Sequence, residues 1–168
     1  GSFGIQITDE LINSYSQCNH YAWTLLEQGK ISRQQTLLYR FEEFFKRNGL
    51  SQDAVRWNET YMNNLQNKAY LLPGALDLLE YAYGKFALFI ISNSTVEILL
   101  NRMKLLNIMD YFDDIFISEK LGVEKPNPTF FDKIFSGTEY DKRELLIIGD
   151  SLTSDIAGGN RSGIDTCF

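Results

Sequence analysis

Two carboxylates five residues apart, Asp150 and Asp155, follow the apolar run Leu145-Leu146-Ile147-Ile148 across the turn at Gly149. Apolar residues ending in a glycine read as a buried strand that delivers both acids into the loop and helix start beyond it. A pair of carboxylates so placed suits a hard divalent cation, Mg²⁺ first, which needs only one or two protein oxygens and keeps several waters. One acid can bind directly and the other through water. A plainer alternative is that Asp155 favours a helix N-terminus through the dipole while Asp150 is a turn residue.

Two further polar groups follow apolar segments. Ser92-Asn93-Ser94 comes directly after the strand expected over Phe86 to Ile91. A hydroxyl and backbone N–H groups at a helix start can cradle an oxyanion, which makes Ser92 and Asn93 candidates for phosphate, with Ser94 as the helix cap. Lys125 stands in Gly122-Val123-Glu124-Lys125-Pro126-Asn127-Pro128, where the prolines restrict the backbone. A stiffened loop can hold an ammonium toward phosphoryl oxygens, although a lysine alone is usually a solvated surface group. His20 is the sole histidine, so zinc clusters and Ser-His-Asp chemistry have little support.

These residues need elements to position them. Leu11, Tyr15, Cys18, Ala22 and Leu25 form one helical stripe stopped near Gly29, and Ser32 to Gln35 has capping-box spacing for a second helix ending near Gly49. Val55 to Leu65 continues a third. Beyond Pro73-Gly74 strands and helices alternate: a helix over 75–83, strands at 86–91, 115–117, 145–148 and 165–168, and helices opened by Ser94-Thr95, by Asn127-Pro128 and at Thr153. Apolar strands separated by helices imply an α/β fold with a mainly parallel sheet covered on both faces, its ligands beyond the carboxyl ends of the strands. The expected division is a helical part over 5–72 and an α/β part over 73–168.

The chain has 168 residues, 44% of them apolar and 23% charged, enough for a packed core. A net charge of −6 without a Lys/Arg block argues against nucleic acid as a partner. No apolar run is long enough for a membrane span. Cys18 and Cys167 fit no disulfide framework or CxxC motif, so a reducing, cytoplasmic setting is expected. Gly1-Ser2 reads as a remnant of tag removal.

In this order and spacing, Ser92-Asn93-Ser94, the Lys125 loop and the Asp150/Asp155 run resemble motifs II, III and IV of the haloacid dehalogenase-like hydrolase superfamily, in its phosphatase and nucleotidase branch. The resemblance implies a three-layer, Rossmann-like core with an inserted all-helical cap. It implies that Ser92 binds the phosphoryl group, that Lys125 steadies phosphate and nucleophile, and that Asp150 with Asp155 holds Mg²⁺. Cap side chains such as His20, Trp23, Arg40, Trp57 and Tyr61 would set substrate identity. Family chemistry passes through an aspartyl-phosphate on an opening strand of D-x-D-x-T pattern, which this sequence does not contain. Asp9 is no substitute, because Ile7 to Leu11 reads as a helix start. The expectation is therefore a Mg²⁺-dependent phosphomonoester hydrolase, with nucleoside 5′-monophosphates as a candidate class, in the parent protein, and a catalytically silent chain as written, incomplete at both ends of the core. A truncated binding or regulatory module is the alternative, and a haloacid dehalogenase a weaker one. The expected partner is a small phosphorylated molecule, with self-association through an incomplete sheet.

Overall fold

The computed structural model describes residues 4–168; Gly1-Ser2, read as a tag remnant, lies outside them. The chain forms two compact units, one reaching to Asn63 and one running Asn64–Phe168.

The first unit is helical. Helix α1 spans Asp9–Glu27 behind Thr8, whose side chain accepts from the Leu11 N–H. Asp9 is thus a helix-start residue, as the sequence indicates. Helix α2, Arg33–Arg47, opens on a complete capping box: the Gln35 N–H donates to Ser32 Oγ and the Ser32 N–H to Gln35 Oε1. These two bonds satisfy donors that a helix N-terminus otherwise leaves to water. Helix α3 spans Ala54–Asn67, its last turn falling in the second unit. Cys18, Phe41, Phe44 and Phe45 form the core, flanked by Leu11, Tyr15, Trp57 and Tyr61. The aromatic rings pack as stacked and edge-on pairs, such as Tyr15 on Phe41 and Trp57 on Phe45.

In the second unit α4 (Ala75–Ala82) is followed by β1 (Phe89–Ser92), α5 (Val96–Leu105), β2 (Asp114–Ile117), α6 (Ser118–Leu121), α7 (Pro128–Phe135), β3 (Leu146–Ile148), α8 (Ala157–Ser162) and β4 (Asp165–Cys167). All strand pairing is parallel, β1 with β2 and β3 with β4, in registers that set Ser92 opposite Ile117 and Ile148 opposite Cys167. Phe130, Phe131 and Ile134 of α7 are buried with Ile147 of β3, and Ile91 of β1 and Phe116 of β2 pack against them. One hydrophobic core therefore serves both ribbons. Helix α8 lies close because Gly158 has no side chain: a Cβ there would stand 2.6 Å from the Phe131 ring.

Several sequence-based expectations need correction. The strand expected from Phe86 begins at Phe89, because α4 runs out into a turn in which the Lys85 and Phe86 N–H groups both donate to the Ala82 carbonyl. The expected α/β architecture with parallel strands stands, its strands lying in two ribbons in the described residues. Only Ile147 of β3 is buried, while Leu146 and Ile148 are 58% and 62% exposed. Thr95, not Ser94, caps α5, its hydroxyl accepting from the Ile98 N–H. The helix expected from Thr153 starts as a π-helical turn over Leu152–Ile156 and turns α-helical only at Ala157. Among the described residues no helix is long and apolar enough to cross a membrane.

Candidate functional site

Ser92 ends β1, half-buried and beside Ile117 in register. The next residue, Asn93, reaches the loop before α7: its Nδ2 donates to the Lys125 carbonyl and its Oδ1 accepts from the Lys125 N–H, each at 2.9 Å. Helix α6 adds a tie to the segment after β1, since Glu119 Oε2 accepts from the Val96 N–H at the start of α5. The helix N-terminus expected to cradle an oxyanion thus already spends one donor on a carboxylate within the chain. Asn93 therefore has its side-chain amide on the Lys125 backbone.

Lys125 turns inward rather than outward. It is 7% exposed, and its Nζ donates to the Ile91 carbonyl at 3.0 Å and to Asp155 Oδ1 at 2.5 Å. Asp155, 6% exposed, also accepts from the Ser151 N–H through Oδ2 at 3.2 Å. A buried ammonium and carboxylate are tolerable only when paired and hydrogen-bonded, and here each has its opposite charge in contact and a backbone group besides. The π turn is what aims Asp155 in this direction, with the Asp155 and Ile156 N–H groups both returning to the Ser151 carbonyl. Gly149 makes room for it: a Cβ there would lie 2.5 Å from both Asp155 Cβ and Oδ2.

Asp150 stands apart from this network. It is exposed, and among the described residues its carboxylate makes no hydrogen bond or ion pair. Lys125 therefore joins the end of β1, where Ser92 lies, to the loop after β3, where Asp150 and Asp155 lie. The two acids are unequal: Asp150 has oxygens free for a hard cation, whereas Asp155 has one oxygen on an ammonium and one on a backbone N–H. Among the described residues no cluster of three acidic, histidine or cysteine side chains could hold a metal without help. The donor set fits a Mg²⁺ ion that takes one carboxylate directly, a second at a distance, and fills its sphere with water and phosphate oxygens.

The residues singled out as setting substrate identity have distinct environments in the first unit. His20 is exposed on α1. Arg40 is 3% exposed, its guanidinium donating to Leu37 O, Asn19 Oδ1 and Asn58 Oδ1 and lying 4.5 Å from the Tyr61 ring centroid. Trp57 packs against Phe41 and Phe45. Arg40 and Trp57 thus serve the packing of the helices. Sequence reasoning missed the roles of Asn93 and Glu119 as internal ties, because no local pattern says which distant backbone group a polar side chain will meet.

The pattern of the haloacid dehalogenase-like hydrolase family matches residues 7–168. The HAD-hydrolase YfnB of Bacillus subtilis is 32% identical over 98% of this chain and 70% of its own length. Its crystal structure, solved with magnesium bound, superposes with a TM-score of 0.92 over 98% of this chain and 74% of that one. The pyrimidine 5′-nucleotidases PynA of Streptococcus pneumoniae and YjjG of Escherichia coli are 36% and 32% identical, over 92% and 99% of this chain and 66% and 73% of their own lengths. The shared architecture is a Rossmann-like α/β core with parallel strands and a helical cap. With a family match over nearly every residue and relatives above 30% identity along the same span, the chain belongs to the haloacid dehalogenase-like hydrolase family.

Proposed function

We propose that the whole protein is a Mg²⁺-dependent phosphomonoester hydrolase, with a small phosphorylated molecule as substrate and nucleoside 5′-monophosphates as the first class to test. The observation that carries this reading is the Lys125 ammonium, held between the Ile91 carbonyl and Asp155, which joins the end of β1 to the loop bearing both acids. Two relatives named as pyrimidine 5′-nucleotidases favour a pyrimidine base.

In this reading Ser92 and Asn93 bind the phosphoryl oxygens, and Lys125 offsets their charge in a water-poor setting where such compensation counts most. Asp150 would hold Mg²⁺ directly and Asp155 through water. The cation supplies charge neutralisation at the phosphoryl oxygens when bound. Residues 5–72 act as the cap and 73–168 as the catalytic core. The aspartyl-phosphate route calls for a carboxylate nucleophile of D-x-D-x-T type, which these residues do not contain. The 168-residue chain by itself is therefore inactive in this reading. The free thiols Cys18 and Cys167 agree with a reducing, cytoplasmic setting. The exposed Leu146 and Ile148 favour self-association through β3.

Phosphate release from nucleoside 5′-monophosphates, with and without Mg²⁺, is the test. The whole protein should release phosphate only with the cation, and the 168-residue chain should release none. Stoichiometric ligand binding without turnover by the whole protein would replace the reading with a binding module. Cation-independent loss of halide from a 2-haloacid would replace it with a dehalogenase.

A further inference from the structure

We propose that Asn93 is a positioning residue for Lys125, fixing where the ammonium sits by closing a two-bond ring on the Lys125 peptide. The inference rests on the reading of Lys125 as the phosphoryl-contacting cation and adds to it the device that holds that cation still.

The geometry is that of a single rung of sheet made by a side chain. Asn93 Oδ1 accepts from the Lys125 N–H and Asn93 Nδ2 donates to the Lys125 carbonyl, both at 2.9 Å. A primary amide is among the few side chains that present a donor and an acceptor side by side, the complement of a peptide N–H and C=O. Neither aspartate nor serine can reproduce it. Two residues upstream, the Ile91 carbonyl takes the ammonium of the same lysine at 3.0 Å. The end of β1 therefore grips Lys125 at three atoms, backbone N, backbone O and Nζ, while Asp155 holds Nζ from the other side.

This arrangement matters because a lysine side chain is flexible. Its four-carbon stem has many rotamers to lose when the ammonium is held. Its Nζ can be held at one point only if the start of the stem is fixed as well as its tip. Asp155 and Ile91 fix the tip. The start of the stem belongs to a loop outside helix and strand, where Asn93 holds both the N–H and the carbonyl of the Lys125 peptide. Without them the lysine can still reach Asp155 only by letting its backbone wander. The expected consequence is a mobile ammonium in an otherwise intact fold.

The test reads the ammonium directly, by ¹H–¹⁵N NMR of lysine side chains in the 168-residue chain. The Lys125 signal is identified by its loss in Lys125→Met. In the unaltered protein the signal should be sharp and slow to exchange with water. Asn93→Ala should speed ammonium exchange by about tenfold, the size expected when about one hydrogen bond's net strength no longer opposes local opening. The amide signals of β1 and α7 should stay in place. Asn93→Asp, which keeps the acceptor for the Lys125 N–H but not the donor, should fall between the two.

An ammonium signal as protected in Asn93→Ala as in the unaltered chain overturns the proposal. So does a loss of protection that comes only together with collapse of the α7 amides, since that makes Asn93 a residue of the fold and not of Lys125. Titration with inorganic phosphate separates the parent reading: if phosphate leaves the Lys125 signal unmoved while Asn93→Ala still releases it, Lys125 is not the phosphate contact but Asn93 still positions it.

Discussion

The Lys125 ammonium and the Asp155 carboxylate are 2.5 Å apart, Nζ to Oδ1, with both side chains less than one tenth exposed. The pair joins the loop before α7 to the turn after β3, segments thirty residues apart in the chain. Removing one partner strands a charge in a poorly hydrated place, whereas removing both leaves nothing uncompensated.

A double-mutant cycle follows from that asymmetry. Lys125→Met and Asp155→Asn should each destabilise the chain by about 3–5 kcal/mol, and the double variant by no more than either alone. Urea unfolding measures all three. Additive losses would show that the two groups are held independently.

Gly149→Ala should act through Asp155. The new methyl would stand 2.5 Å from Asp155 Cβ, so the carboxylate must retreat from Lys125. The expected cost is about 1–3 kcal/mol. In an Asp155→Gly background, where Cβ and the carboxylate are both gone, the same substitution should cost clearly less. An equal cost in both backgrounds would place the strain elsewhere in the turn.

Asp150 and Asp155 should separate on two axes. Asp150 is exposed and unengaged, so Asp150→Asn should leave stability within about 0.5 kcal/mol. In the whole protein the same substitution should weaken Mg²⁺ binding on the order of tenfold or more, because a directly bound charged oxygen is lost. Asp155→Asn should lower both quantities. Calorimetric titration with Mg²⁺, alongside thermal melts, checks the contrast. Unchanged affinity in Asp150→Asn would remove it from the cation site.

Tyr15 supplies a pH dependence in the first unit. Burial against Phe41, Phe44 and Tyr61 pushes its phenol well above the ordinary 10.0, with the nearby Arg40 charge pulling the other way. The folded state therefore holds this proton more tightly than the unfolded chain does. Its contribution is complete below pH 10.0 and drains away as the pH rises above that value. Tyr15→Phe should flatten the fall in stability on the alkaline side of pH 10 while leaving the neutral range unaltered. Denaturant midpoints between pH 8 and 11 would reveal it, and an alkaline limb of unchanged slope would contradict it.

Local signals made much of this legible. The Ser32 capping box, the Asn127-Pro128 helix start and the glycine stops at Gly29 and Gly49 act within a few residues, and the helices begin and end beside them. Strand periodicity was a weaker guide. The apolar letters of Phe86 to Leu88 extend the strand pattern, yet the turn hydrogen-bonded to Ala82 takes Phe86, and the ladder with β2 starts at Phe89. The residues Ser92, Lys125, Asp150 and Asp155 could be picked out because each follows an apolar strand or stands in a stiffened loop. Their division of labour could not.

By itself, the sequence determined the alternation of helices and parallel strands, the caps at Ser32 and Asn127 and the set of polar residues at the strand ends, because each depends on neighbours a few residues away. Tertiary structure decided that Lys125 points inward to Asp155, that Asn93 holds the Lys125 backbone and that Asp150 alone of the two acids stays free. Those outcomes depend on which buried charges and polar atoms find partners thirty residues distant, and only the folded core, by excluding water, makes that choice energetically decisive.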